Sequence, residues 1–118
     1  MAYLRSAAGV QALGEVAGRH LSGASLVSDI AAVRKQFGDH AGILVETVQL
    51  RRRAAAKFDD PSRWLFTDEA LQQATAAPVA AHRARRLTGA RVHDATCSIG
   101  SELVALRDCA AALVGSDL

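Results

Sequence analysis

The residues with the most chemical potential lie late in the chain, in "RVHDATCSIGSELVALRD" at positions 91 to 108 and in "ALVGSDL", which closes the 118 residues. Asp94, Cys97, Ser98, Gly100 and Ser101 are acidic or small, and they fall between a strand-like segment and a helix-like one. A loop at such a junction presents unpaired backbone N–H groups and the positive end of a helix dipole, and small side chains let a ligand approach that backbone closely. Asp94 at the strand end can orient the loop or accept from a bound amine. Asp117 ends the next strand-like segment, roughly twenty residues on, where dinucleotide folds carry the acid that binds ribose. Spacing alone leaves a plainer reading open. No GxGxxG is present, Asp94 can cap a turn, and Ser101 can cap a helix.

A second group is cationic. Arg51, Arg52, Arg53 and Lys57 occupy the last two turns of a predicted helix, and Arg83, Arg85 and Arg86 form another cluster. Residues 51–91 carry nine Arg or Lys against four acids, a net +5, whereas residues 1–50 balance at four of each and residues 92–118 sum to −3. Cations complementing helix C-termini on a solvated face are one reading, and a phosphate-contacting surface for nucleic acid is the other. His20, His40, His82 and His93 include no i,i+4 pair, and with two cysteines the sequence offers no metal site. Cys97 reads as a packing cysteine, although a helix N-terminus can activate a thiol. No G-x-S-x-G elbow supports a hydrolase triad. Trp64, in the apolar run "RWLF", reads as core before it reads as a base-stacking platform.

The elements that must position these residues are mostly helical. Half of the residues are apolar, alanine dominates them, and β-branched runs are scarce. "AAGVQALGEVAGRHL" is a helix weakened by its glycines. In "SLVSDIAAVRKQFG", Leu26, Ile30, Val33 and Phe37 form one stripe, with Ser25 as the starting cap and Gly38 as the close. "HAGILVETVQLRRRAAAKF" follows, with Leu44, Val48 and Ala55 near one face. Asp60-Pro61 marks a turn, Thr67 with Asp68 and Glu69 starts a short helix, and Thr75 caps the next, with Pro78 in its first turn. Gly89 ends that helix. Beyond it, the texture changes to strand, loop, helix and strand, a βαβ unit. The predicted class is mainly α: a helical bundle over residues 1–88, then the βαβ unit over 89–118. Two parallel strands need cover on faces and edges, so self-association or a further stretch of chain is expected to supply it. No apolar run approaches the roughly 20 residues of a membrane span, and the N-terminus lacks the apolar core of a signal peptide. A reduced, cytoplasmic protein is the expectation.

A resemblance sharpens the late segment. "HDATCSIGSELVALRD" followed by "ALVGSDL" resembles the first motif and second-strand end of class I S-adenosylmethionine-dependent methyltransferases. The nearest form is the D-x-x-C-G-x-G of RNA methyltransferases, including the trimethylguanosine synthase group and bacterial proteins with a THUMP-like region. "ATAAPVAAHRARRL" is similar to the Thr-Pro-Glu helix before that motif, with Thr75, Val79, Ala80 and His82 matching. "RRRAAAKF…WLFT" resembles the segment joining the N-terminal helices to the catalytic domain. The likeness spans residues 50–118, with residues 1–49 similar to an accessory helical region.

The resemblance implies a Rossmann-like fold, S-adenosylmethionine as cofactor and RNA as acceptor. It implies Asp94 near the methionine moiety, the backbone of Cys97, Ser98 and Gly100 against the cofactor, Asp117 on the ribose hydroxyls, and Thr75 closing the amino-acid end. Ser98 and Ser101 depart from the usual glycines. The family's Asn/Asp-Pro-Pro-aromatic motif has no counterpart, the two prolines being Pro61 and Pro78. The expectation is therefore a chain that holds one side of a cofactor site, has no catalytic residue of its own and does not transfer a methyl group alone. The competing expectation is a non-enzymatic helical module that binds RNA or a protein partner through the basic middle third.

Overall fold

A computed structural model describes residues 2–95 and 97–117 of the chain. Helices α1 (Ala2–Arg5), α2 (Ala7–Ala17), α3 (Leu26–Phe37), α4 (Ala41–Ala54), α5 (Asp68–Gln73) and α6 (Ala77–Arg86) precede strand β1 (Arg91–Asp94), helix α7 (Ser101–Leu106) and strand β2 (Ala112–Gly115). The expected order, helices first and a βαβ unit last, is what the chain adopts. The compact units, however, are Met1–Arg53 and Ala54–Leu118, so residues 54–88 group with the strands. Composition changes at Gly89; packing changes at the end of α4.

The first unit is helical throughout its described residues. The stripe on α3 turns inward, with Val33 fully buried, and on α4 both Leu44 and Val48 are buried as their spacing requires. Ala41, Val45, Thr47 and Leu50 are buried too, so α4 is surrounded on more than one face. Thr47 resolves its hydroxyl locally by donating to the Ile43 carbonyl one turn back, at 2.7 Å. Gly9 contributes space: a Cβ there would lie 1.9 Å from the Tyr3 carbonyl oxygen, so α1 and α2 meet backbone to backbone. Ser6 links them, accepting from Gly9 N–H at 3.0 Å and donating to the Tyr3 carbonyl at 2.6 Å. The Tyr3 and His40 rings stack 3.7 Å apart.

One expected cap is displaced. Ser25 lies in αR geometry at the end of a 3-10 turn (Gly23–Ser25) and makes no side-chain cap bond to α3. Its hydroxyl donates to the Ser22 carbonyl. The acid in the first turn of α3, Asp29, instead accepts from the Leu21 N–H at 3.0 Å and pairs with Arg19 at 3.5 Å. That backbone hydrogen bond, with smaller help from Ser25 and Arg19, holds the Asp29 carboxyl below its ordinary value of 3.8. Gly38 closes α3 with a φ of 59°, as read from the sequence.

The second unit is built on aromatic contacts and short elements. Phe58 and Phe66 are buried, with rings 5.1 Å apart, and Trp64 packs on both at 4.9 and 6.2 Å. Thr67 caps α5 by accepting from Ala70 N–H at 3.2 Å, behind an acidic first turn. The next cap does not form: α6 begins at Ala77 with Ala76 at its cap position and Pro78 in its first turn, so Thr75 stands one residue before the cap, and its hydroxyl bonds Glu102 instead. The two strands pair in parallel, Arg91 opposite Ala112 through Asp94 opposite Gly115. Partners in register share a sheet face, and α7 covers the face of Gly115, where a Cβ would meet Leu103 Cδ1 at 2.2 Å and Cys97 Cβ and Sγ at 3.2 Å. On the opposite face, Arg91, His93 and Val114 are exposed, Val114 by 59%.

Candidate functional site

The loop between β1 and α7 extends the ladder of the sheet before it turns. Asp94 carbonyl accepts from Ser116 N–H at 2.9 Å, and Ser116 carbonyl accepts from Cys97 N–H at 3.1 Å. The chain then tightens, with Gly100 N–H donating to the Cys97 carbonyl at 2.7 Å. This turn needs left-handed backbone at two places, Ser98 with φ 45° and Gly100 with φ 84°. Glycine meets that demand without strain, whereas serine at Ser98 carries a cost of the order of 1 kcal/mol. The departure noted in the sequence, Ser in place of Gly, falls on a residue whose backbone does adopt the glycine-favouring conformation.

Asp117 compensates. Its Oδ2 accepts the Ser98 N–H at 2.7 Å, joining the end of the second strand to the apex of the loop. Ser116 is tied back as well, its Oγ 2.8 Å from Nε2 of His93 on β1. Of the six residues proposed for a cofactor, Ser98 and Asp117 are thus brought together directly. Asp94, Cys97 and Gly100 stand on the same short path. Asp117 and Ser98 are exposed, and Asp94, Cys97 and Gly100 are half-buried, so the rim is open to a ligand. The residues fit the group the resemblance implies: the loop side chains are small, the space a side chain would need at Gly100 is open apart from Leu103 Cδ1 at 3.9 Å, and an acid ends the neighbouring strand. Thr75 joins from another direction, its hydroxyl donating to Glu102 Oε1 at 3.2 Å in the first turn of α7.

Glu102 escaped sequence reasoning, although it gathers Thr75 and Arg83, both bonded to Oε1. An acid in the first turn of a helix is unremarkable alone, and its partners lie far back in the sequence. Gly115 was missed for the same reason, since only the position of Leu103 on α7 makes its lack of a side chain necessary.

Several of the cations bond within the chain. Arg52 reaches the carbonyls of Ala17, Arg19 and His20 beyond α2, at 3.1 Å for Ala17. Lys57 Nζ donates to the carbonyls of Leu71, Gln72 and Ala74, at 2.9, 2.9 and 3.2 Å, where α5 ends. Arg52 from α4, and Lys57 from the turn that follows α4 rather than from its last turns as the sequence suggests, each close the C-terminus of another helix, where carbonyls lack intrahelical partners. Arg83 pairs with Glu102. Arg51 is half-buried, Arg53 is exposed on α4, and Arg85 and Arg86 are exposed on the last turn of α6. Among the described residues no group of His, Cys, Asp or Glu is arranged to hold a metal ion, and no helix is long and apolar enough to cross a membrane.

Comparison with known proteins gives one family model and two curated relatives. Residues 1–54 match a family model described as a domain of unknown function, DUF8688. That match ends with α4, close to the boundary between the compact units. Two proteins from Mycobacterium tuberculosis, of strains CDC 1551 and H37Rv, are each described as an uncharacterized S-adenosylmethionine-dependent methyltransferase. Each is 65% identical to this chain over 92 residues, which is 73% of the chain and 26% of the relative. The chain thus spans about a quarter of the length of the curated relatives it matches. No solved structure matches it.

Proposed function

We propose that this chain supplies one side of the S-adenosylmethionine site of a methyltransferase, with the Rossmann-like first βαβ unit as its frame. The observation that carries the reading is the bond from Ser98 N–H to Asp117 Oδ2, which sets a strand-end acid against a small-residue loop in a parallel βαβ unit. The description of the two mycobacterial relatives as S-adenosylmethionine-dependent methyltransferases supports the same cofactor class. Bound there, S-adenosylmethionine would supply an electrophilic methyl group. The chain's own part is to hold the cofactor: the backbone of the small-residue loop packed against it, and Asp117 accepting from the ribose hydroxyls. For that, Asp117 exchanges its Ser98 donor for the ribose or shares its oxygens between them, since a carboxylate has lone pairs for both.

The acceptor we read as RNA, on the motif resemblance and on the exposed Arg85 and Arg86 of α6. Methyl transfer depends on aligning a nucleophile with the sulfonium carbon, and no residue among the described ones is assigned to that alignment. The reading is therefore of a chain that binds cofactor without turnover. The exposed His93 and Val114 on the uncovered sheet face support a second copy or a further chain segment packing there.

Calorimetric titration with S-adenosylhomocysteine tests the proposal. Binding that is lost in Asp117→Ala, with the circular dichroism spectrum unchanged, is the expected result. No heat at millimolar ligand would sink the cofactor reading. Salt-sensitive RNA binding in that case would favour the alternative, a non-enzymatic binding module.

A further inference from the structure

The second unit holds a cleft of about 470 Å³ whose lining shares Thr75 with the proposed cofactor residues but includes neither Asp94 nor Asp117. Its floor is made of small side chains from one face each of two helices: Ala77, Ala80 and Ala81 on α6, and Ser101, Val104 and Ala105 on α7. Spacings of three and four put each set on a single face. The opposing wall is residues 58–64, which present Phe58 and the half-buried Trp64. The helices lie side by side in the same direction. Thr75, just before α6, bonds Glu102 in the first turn of α7, and Cys109, just past α7, bonds the Ala84 carbonyl near the end of α6. The hydroxyl-bearing Thr75 and Ser101 therefore stand towards one end of the cleft and Arg107 towards the other.

Such a slot suits a flat ring. Short side chains line it from α6 and α7, Ala81 among them exposed, and the half-buried indole of Trp64 lines it from residues 58–64, in front of the buried Phe58. Val104 lines the slot with 46% of its surface exposed, apolar area that a ring would cover. Two guanidiniums border the slot. Arg63 makes no side-chain hydrogen bond or ion pair among the described residues. Among the described residues the Arg107 guanidinium pairs with the neighbouring Asp108 at 3.4 Å, both side chains exposed, by 61% and 86%, and such a pair is weak. Of the two acids on the same wall, Asp60 already accepts from the Ser62 hydroxyl at 2.5 Å, and Asp59 is exposed.

We infer that this cleft binds a nucleotide unit, its base laid in the slot against Trp64 and its phosphate on the Arg63 guanidinium. Base stacking on an aromatic ring tolerates any base, and an arginine fork matches a phosphate. A free mononucleotide and a base within single-stranded RNA share this chemistry. The inference goes beyond the cofactor reading and does not depend on it.

Trp64 is the single tryptophan of the chain, so its emission reports on the slot directly. Titration with adenosine 5′-monophosphate is expected to change that emission saturably, and inorganic phosphate at matched ionic strength to leave it unchanged. Arg63→Gln weakens the mononucleotide by about tenfold through loss of the charged fork. Ala81→Leu, at an exposed residue, fills the slot and abolishes the response while the circular dichroism spectrum stays native. A short oligoribonucleotide that binds more tightly than the monophosphate, and is likewise lost in Ala81→Leu, identifies RNA as the source; equal affinity identifies the free nucleotide. Emission unchanged at millimolar monophosphate overturns the inference. So does a response that survives Ala81→Leu but vanishes in Asp117→Ala, which would move the nucleotide to the strand-end loop. Nucleotide binding without any S-adenosylhomocysteine binding would remove the cofactor reading and leave this one standing.

Discussion

The two compact units use the same device for opposite ends. In residues 1–53 a buried aliphatic core around Leu44, Val33 and Val16 carries the structure, and Arg52 from α4 closes the carbonyl end of α2. In residues 54–118 the helices are shorter, three aromatic rings take the place of much of the aliphatic core, and Lys57 closes the end of α5. In both units a cation from outside a helix finishes its carbonyl end. The second unit leaves backbone and side chains available: a loop with left-handed serine, an uncovered sheet face and an open cleft. A cluster of basic residues in the sequence therefore has two meanings here. Some members finish helix ends, and others, such as Arg85 and Arg86, are exposed on the last turn of α6.

The sharpest way to break this contrast is to damage one unit and watch the other. Leu44 is fully buried, so Leu44→Ala should cost about 2–5 kcal/mol of stability through lost burial and the cavity left behind. Trp64 lies in the second unit, so chemical denaturation followed by both circular dichroism and tryptophan emission separates the two. An early loss of ellipticity with little change in emission is expected if the units unfold independently; coincident curves would show that they share one transition.

The reciprocal experiment is Gly115→Ala. The new methyl meets Leu103 and Cys97, and overpacking of this kind costs about 1–3 kcal/mol. Here the emission of Trp64 should respond, and the helical signal of the first unit should not. A neutral Gly115→Ala would mean that α7 moves off the strand freely.

Smaller effects come from the caps. Arg52→Gln and Lys57→Gln should each lower stability by about 1 kcal/mol, the loss expected when charged donors leave helix-end carbonyls to water. Neither should alter the salt dependence of any RNA binding, whereas Arg85→Gln should. A Lys57→Gln protein with full stability and weakened RNA binding would reverse the assignment of that lysine.

Asp29 gives the smallest effect, and its sign is defined. Its folded carboxyl titrates below the ordinary 3.8, so its stabilisation is fully present above that value and is lost as pH falls through the folded pKa. Asp29→Asn should therefore flatten the acid limb of the stability curve below about pH 4 and change little at neutrality. An unchanged acid limb would show that the Leu21 bond does not persist in solution.

How much of this was readable beforehand follows from the reach of each interaction. Thr67 was legible as a cap because its acceptor relation to Ala70 spans three residues. The α3 stripe and its Gly38 close were legible because helical periodicity is itself local. The βαβ order was legible from the change of texture after Gly89. Thr75 has the same residue type and the same apparent position as Thr67, yet it bonds Glu102, 27 residues away, and leaves its helix uncapped. Ser25 does not cap α3 because it ends a 3-10 turn in αR geometry and its hydroxyl bonds the Ser22 carbonyl, a local fold the residue type does not announce.

Sequence by itself determined the helix-then-βαβ order, the inward stripe of α3, the acid at the end of the second strand and the surplus of cations in the middle third. These rest on period, composition and contacts a few residues long. Only the tertiary structure decided that Arg52 and Lys57 are caps, that Glu102 collects Thr75 and Arg83, that Asp117 meets Ser98, and that alanines on α6 and α7 face Trp64 across a slot. Each of those is a meeting of atoms far apart in the chain, and a side chain carries no mark of which distant carbonyl, carboxylate or ring it will meet until packing brings the two together.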